Sequence, residues 1–344
     1  MEIIVPAAGL STRFPDMKPK YLLYDYSQKL MVHRALEPYI GKHPITIGIL
    51  KEHDEKFNAS ETIRYEMGNS IKIVILDKVT NGPADTVYQI IKQGNIKLNS
   101  DILIKDCDSF FDNNINTGPN NFVCVSRLSQ HEVLKRVAAK SFVISNEQGL
   151  ITDIIEKNVV SDTFCVGGYK FASAKLYTQM FEEISSVKEI FVSDVIQRCL
   201  FHKYIFAEKL VQNYIDVGTS DEWFEFNNKP VIFCDIDGTI IKNQGRVGEN
   251  SYSHDVIPLP NSVKRLLELQ EAGAQFVFTT SRPKRFLDKT DKALTEMGFK
   301  DYTLIAGLQN SRRIIINDFN NNNPFPRAEA INVRRDRDEV QDYL

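Results

Sequence analysis

Twice in its 344 residues this chain runs a short apolar stretch straight into a turn built from small and charged residues. The first is Ile3-Ile-Val-Pro6 entering Ala7-Ala-Gly9; the second is Val231-Ile-Phe-Cys234 entering Asp235-Ile-Asp-Gly-Thr239. A strand that ends this way delivers its loop to one edge of a sheet. The rest of the chain follows the same rhythm, with short β-branched runs alternating with segments of helical spacing. Ile45 to Leu50, Ile71 to Leu76, Asp101 to Lys105 and Asn121 to Ser126 read as strands, Met31 to Tyr39 and Ala84 to Gln93 as helices. The expected fold class is therefore α/β, a mostly parallel sheet with helices on its faces.

The length argues for about two domains at roughly 100 to 200 residues each. The polar stretch Phe224 to Pro230 contains a proline and directly precedes the second apolar strand, which places domains at 1–227 and 230–344. Asn320 to Pro326 reads as a loop inside the second. With 42% apolar residues, 25% charged residues and a net charge of -3, nothing in the composition calls for nucleic acid or an anionic membrane as partner, so any anion site is local. Five cysteines without paired spacing suit reduced, buried thiols. No apolar run approaches roughly 18 residues and no leader pattern is seen, so cytoplasmic residence is the expectation. The six histidines form no ligand spacing, and the basic run Arg334 to Arg337, interrupted by Asp336, reads as a solvated face.

At the first loop, Ala7, Ala8 and Gly9 let backbone N–H groups approach phosphate oxygens, and Ser11 adds a hydroxyl. Arg13 and Lys20 supply fixed positive charge where a leaving pyrophosphate would accumulate negative charge. The set Pro6-Ala-Ala-Gly-Leu-Ser-Thr-Arg-Phe14 with Lys18-Pro-Lys20 resembles the sugar-phosphate nucleotidyltransferases, and further matches follow in order to about residue 226. Gly82-Pro83-Ala84 resembles the loop that reads the base. Glu156, Lys157, Gly168 and Asp194 resemble the acceptor-binding half. Asp108 and Asp216, in Asp106-Cys-Asp108 and Tyr214-Ile-Asp-Val-Gly-Thr219, resemble the metal-binding aspartates. The resemblance implies a Rossmann-like, GT-A-like sheet using Mg2+, a nucleoside triphosphate and a phosphorylated acceptor. Two carboxylates from separate strand ends suit a hard cation, and the acceptor's phosphate oxygen then attacks without a protein nucleophile. Asp106 competes with Asp108, since the two would share a face if the strand continued through Cys107. Ser11 replaces a second glycine, and Cys107-Asp108 a Gly-Asp pair, of the commonest members. Lys18-Pro-Lys-Tyr-Leu22 looks closest to members of surface-polysaccharide pathways.

In the second domain Asp235 and Asp237 lie two positions apart on an extended chain, so one can attack phosphorus while the other handles the leaving-group proton. The motif resembles the haloacid dehalogenase superfamily. The resemblance implies a Mg2+-dependent phosphatase forming an aspartyl-phosphate, with Thr280 of Phe276 to Arg282 binding the phosphoryl group. It also implies Asp318, at the end of an Ile314 to Asp318 strand, as a metal ligand beside Asp235 and Asp237. The usual third-motif lysine is missing, and Arg312 and Arg313, the nearest basic residues, are assigned as the phosphate clamp in its place. Only a flap around Asn243 to Pro258 fits between the first two motifs, which implies a capless domain. The C-terminal NPFPRAEAINVRRD resembles small capsule-biosynthesis phosphatases.

The two resemblances together imply a bifunctional enzyme, a nucleotidyltransferase fused to a phosphatase, in the synthesis of nucleotide-sugar and capsular polysaccharide precursors. The alternatives are a cytidylyltransferase for phosphocholine or an amino-acid-derived phosphate, and a chain in which one domain is a non-catalytic module. Homo-oligomer formation is left open.

Overall fold

The computed structural model describes residues 1–112, 120–131, 135–185, 188–243, 256–318 and 328–344. The chain divides into two units, Met1–Asn227 and Asn228–Leu344. The flap around Asn243 to Pro258 lies for the most part outside the described residues, and the loop Asn320 to Pro326 lies wholly outside them.

The first unit begins with β1 (Glu2–Pro6), α1 (Met31–Leu36), β2 (Ile45–Leu50), α2 (Lys51–Phe57), α3 (Ala59–Met67), β3 (Lys72–Leu76) and α4 (Pro83–Gln93). In α4 a proline opens the first turn, and Ala84, Val87, Ile90 and Ile91 form a buried stripe at helical spacing. Next come β4 (Ile102–Lys105), β5 (Ser109–Asp112), β6 (Phe122–Arg127), β7 (Phe142–Ser145), β8 (Ile151–Ile155) and β9 (Thr163–Phe171). The unit closes with α5 (Ala174–Glu182), α6 (Val192–Phe201), β10 (Ala207–Leu210), β11 (Gln212–Asp216) and α7 (Ser220–Asn227).

The main sheet runs β10-β6-β9-β4-β1-β2-β3, with β7 and β8 joined to its side through β9. Strands β4, β1, β2 and β3 are parallel. β9 lies between β4 and β6 and is antiparallel to both. β10 is parallel to β6, so four of the six pairings along this path are parallel, as expected, and β9 makes the sheet mixed. β9 inserts between two strands distant from it in sequence, a pairing that no local pattern encodes. Alternation along β1 sends Ile4 into one core, with Ile90 and Phe171, and Ile3 and Val5 into the other, with Leu103 and Phe122. Covered on both faces, the sheet can act only through its strand ends and loops.

The second unit contains β12 (Val231–Asp235), α8 (Pro260–Glu271), β13 (Gln275–Thr279), α9 (Leu287–Glu296) and β14 (Thr303–Ile305). The strands are parallel in the order β12-β13-β14, and Phe276, Phe278, Leu294 and Phe299 fill the core. The strand expected over Ile314 to Asp318 is not formed. Residues 312–318 carry no strand pairing, and Ile316 is 89% exposed. Its apolar run has no partner strand to bury against, so composition alone does not make it a strand.

Candidate active sites

In the first unit, β1 hands the chain to a loop whose entry is fixed by the sheet. Ala7 N–H donates to Gly48 O at 2.9 Å. The loop returns on itself where Lys20 N–H donates to Ser11 Oγ at 3.1 Å, which brings Arg13 and Lys20 to the same place. Lys20 Nζ lies 2.5 Å from Asp108 Oδ2, and Arg13 Nη2 lies 3.8 Å from the same oxygen. Burial by itself would raise the Asp108 pKa; the adjoining Lys20 ammonium, helped by Arg13, outweighs it and holds the carboxyl below its ordinary value.

Asp108 sits in the turn between β4 and β5, and β5 pairs antiparallel with β11 so that Ser109 faces Asp216. Val217 N–H donates to Asp108 O at 3.0 Å. Two aspartates 108 positions apart in number are thereby set side by side around Gly218. A Cβ placed on Gly218 would lie 3.1 Å from Asp216 Oδ1, 3.2 Å from Asp108 Oδ2 and 3.5 Å from Arg13 Nη1. Asp106 goes elsewhere. The strand ends at Lys105, so Asp106 and Asp108 do not share a face. Asp106 N–H donates to Gly167 O at 2.9 Å, its carboxylate packs on Gly167, and burial raises its pKa. Lys105 fastens this turn from below, with Nζ donating to Asp106 O at 2.8 Å and Ser109 O at 2.6 Å.

One residue of this cluster escaped the sequence reading. Lys140, whose side chain is 9% exposed, pairs with Asp216 and donates to Tyr214 Oη at 2.8 Å. It precedes β7, and the β7–β8 hairpin pairs Phe142 with Ile155, which sets Lys140 opposite Glu156 and Lys157; Lys157 N–H donates to Lys140 O at 3.1 Å. The signal was available in the hairpin pattern Phe142 to Ile155 with Asn146-Glu-Gln-Gly149 at its turn.

The residues expected to bind base and acceptor have internal partners. Gly82 holds φ +99°, which a side chain would resist, and a Cβ there would come within 2.5 Å of Ile190 O. Ala84 N–H donates to that same Ile190 O at 3.1 Å, and Pro83 has no N–H, so the turn is tied to the Ile190 segment. Glu156 Oε2 accepts from Ser141 Oγ and, at 2.7 Å, from Ser193 Oγ. Lys157 Nζ lies 4.0 Å from the Phe191 ring centre. Gly168 is buried in β9 opposite Lys105. Asp194 Oδ2 accepts from Phe191 N–H at 2.7 Å, so this carboxylate caps α6 instead of facing an acceptor. Ala8 is buried, whereas Gly9 is exposed and a Cβ on it meets nothing within 4 Å.

In the second unit Asp235, at the end of β12, keeps its side chain 47% exposed and has Arg313 Nη2 at 3.4 Å from Oδ1. Burial raises its pKa to about 6 against the opposing charge of Arg313. Asp237 is clamped. Arg282 Nη2 donates to Oδ1 at 2.7 Å and Nε to Oδ2 at 3.0 Å, while Thr280 Oγ1 donates to Oδ2 at 3.1 Å. Thr280 is 0% exposed, so its hydroxyl serves Asp237 and is not presented to a phosphoryl group as expected. The turn after β13 rotates it inward, where Arg282 N–H donates to its Oγ1 at 3.1 Å. Arg312 is exposed. Asp318 is exposed, and among the described residues no three His, Cys, Asp or Glu side chains gather as a metal site. Asp318 therefore does not join Asp235 and Asp237 in a common ligand set. No helix among the described residues is long and apolar enough to cross a membrane.

No family model and no curated protein matches this sequence. Among solved structures the fold is similar to a nucleoside-diphosphate-sugar pyrophosphorylase from Vibrio cholerae RC9, with 19% identity and a TM-score of 0.55, covering 65% of this chain and 98% of that one. It is also similar to the inositol-1-phosphate CTP transferase of T. maritima, with 17% identity and a TM-score of 0.54, covering 64% and 90%. These structural neighbours are nucleotidyltransferases, and at such identities they establish an α/β fold with a mixed sheet over about two thirds of the chain.

Proposed function

We propose that Met1–Asn227 transfers a nucleoside monophosphate from a nucleoside triphosphate to a phosphorylated sugar or polyol, releasing pyrophosphate. The observation that carries this reading is the convergence of Arg13, Lys20, Asp108, Asp216 and Lys140 around Gly218. An oxygen of the acceptor's phosphate bonds to the α-phosphorus while the bond to the bridging oxygen breaks, and its electron pair leaves on pyrophosphate. Arg13 and Lys20 meet the charge that develops there, Lys20 by turning from Asp108. Gly9 supports the same reading, because neither its neighbours nor a positive φ demands glycine; close approach of a phosphate would.

The two carboxylates facing one small space at Gly218 fit a Mg2+ that takes its remaining ligands from phosphate oxygens and water. Asp108 and Asp216 would hold it, and when bound it would polarise the phosphate it touches. Lys20 and Lys140 are the groups it must displace from them.

Asn228–Leu344 is, in this reading, a capless phosphomonoesterase of the haloacid dehalogenase kind, so that the chain is bifunctional in nucleotide-sugar and surface-polysaccharide precursor synthesis. Asp235 bonds to phosphorus as the ester P–O bond breaks and its electron pair leaves on oxygen. The leaving oxygen takes a proton from Asp237; water then delivers its oxygen to phosphorus and a proton back to Asp237, which frees phosphate and regenerates both carboxyls. The Asp237–Arg282 pair must open for this role. With Asp237 clamped by Arg282 and Asp318 apart, the second site does not fit a Mg2+ ligand set as it stands, and no step is drawn through one.

Trp223 is buried with Phe14 and Phe110, which gives a choline-type acceptor no aromatic face from that residue. Each triphosphate should be incubated with a panel of phosphorylated sugars and polyols while pyrophosphate and inorganic phosphate are followed. Asp108→Ala should abolish pyrophosphate release and keep phosphate release; Asp235→Asn should do the reverse. Absence of pyrophosphate with every pair would overturn the first assignment.

A further inference from the structure

Arg334, Arg335 and Arg337 are exposed, as the charge pattern of this run suggested, yet the run is anchored through its backbone and its acidic residues. Arg334 clamps Glu339 through Nε at 3.1 Å and Nη2 at 2.6 Å. Asp336 N–H donates to Gly238 O at 2.9 Å, and Asp336 Oδ1 accepts from Asn243 N–H at 2.5 Å. Asp338 accepts from the N–H groups of Asn261 and Ser262 at the start of α8, at 2.9 and 2.6 Å, and Val340 is buried in the core. These contacts fix the turn at Arg335 against the loop that follows β12. Gly238 holds φ +91°, and a Cβ there would lie 2.9 Å from Arg335 Cγ and 3.6 Å from its Nε. The Arg335 side chain thus lies over the turn between Asp235 and Thr239, and its charge acts on Asp235.

We propose that Arg335 is the cation that binds the transferring phosphoryl group in the second unit, taking the place of the missing third-motif lysine. This rests on the phosphatase reading of Asp235. An anionic nucleophile attacking a phosphate dianion needs positive charge next to the phosphoryl oxygens. Of the nearby arginines, Arg334 is taken by Glu339 and Arg313 bridges Ser311 O and Asp235 Oδ1 from a segment without strand pairing. No carboxylate among the described residues is ion-paired with Arg335. Its planar fork suits two phosphoryl oxygens, and the hydrogen bonds of its neighbours hold the turn that carries it. In the step above, the Asp235–phosphorus bond forms and the ester bond breaks while Arg335 stays on the oxygens that do neither.

The test compares full-length wild type, Arg335→Ala, Arg335→Lys, Arg313→Ala and Arg337→Ala, with p-nitrophenyl phosphate hydrolysis and binding of inorganic phosphate by calorimetry as readouts. Arg335→Ala is expected to lower kcat/KM about 100-fold and to weaken phosphate binding, Arg335→Lys to recover part of both, and free guanidinium to restore some rate to Arg335→Ala. Arg337→Ala should stay within about twofold of wild type, as surface changes away from a site do, and equal melting temperatures would show that Arg335→Ala is folded. Wild-type rate and phosphate affinity in Arg335→Ala, with the loss in Arg313→Ala instead, would overturn the proposal. If wild type itself hydrolyses nothing and Asp235→Asn binds phosphate unchanged, the phosphatase reading fails, and the assignment of Arg335 falls with it.

Discussion

Lys140 places its ammonium on the carboxylate of Asp216, 76 residues further along the chain, and shares it with the Tyr214 hydroxyl. The pair joins the β7–β8 hairpin to the strand end that carries Asp216, so it both orients the carboxylate and offsets its charge. Removing the ammonium leaves a largely buried carboxylate without its partner, a change worth about 1–3 kcal/mol. Lys140→Met is therefore expected to lower kcat/KM for pyrophosphate release at least about tenfold and to reduce the melting temperature, with Lys140→Arg recovering part of the rate. A Lys140→Met enzyme with wild-type kinetics would separate Lys140 from the site.

Gly9 and Gly218 predict different failures. Gly9→Ala meets no atom of the chain, so stability should stay within about 0.5 kcal/mol while triphosphate binding weakens. Gly218→Ala adds a methyl group among Asp108, Asp216 and Arg13, and divalent-cation binding should suffer. Titration of Mn2+ by electron paramagnetic resonance, beside nucleotide calorimetry, reads the two apart. Unchanged nucleotide affinity in Gly9→Ala would remove the phosphate-loop role.

Arg282 is 5% exposed and also donates to Thr290 Oγ1 at 3.1 Å. Arg282→Ala strands Asp237, and a loss of about 2–4 kcal/mol is expected from breaking such a pair. Lysine lacks the planar fork that spans both Asp237 oxygens, so Arg282→Lys should restore little. Phosphate release should fall and its pH profile should move, while pyrophosphate release stays intact. An unmoved profile would leave Arg282 a purely structural anchor.

Lys105 gives a pH test. Burial pushes its pKa down to about 8 from an ordinary 10.5. Between these values the unfolded chain binds more protons than the folded one, so this group makes stability rise with pH through that window and has no slope below it. Relative to Lys105→Met, the wild type should gain up to about 1.4 kcal/mol per pH unit. Thermal midpoints of both proteins at pH 7, 8, 9 and 10 check the sign; a wild type that loses stability relative to Lys105→Met as pH rises would refute it.

What the sequence by itself determined is whatever depends on near neighbours. Ile3 to Pro6 and Val231 to Cys234 form strands as their short apolar, β-favouring runs suggest, and the small or acidic turns after them then emerge at a sheet edge. Arg13 and Lys20 were legible because they share one loop, and the Asp108 and Asp216 turns because each closes a recognisable strand. Tertiary structure decided the rest. Only the β5–β11 pairing sets Asp108 with Asp216, and only the β4–β9 pairing turns Asp106 toward Gly167. Only the hairpin brings Lys140 in, only the turn after β13 directs Thr280 to Asp237, and only the anchored segment after residue 333 lays Arg335 over Gly238. The physical reason is common to all four, and it is distance along the chain. Each side chain is positioned by contacts with residues 40 or more positions away, beyond the reach of any local pattern.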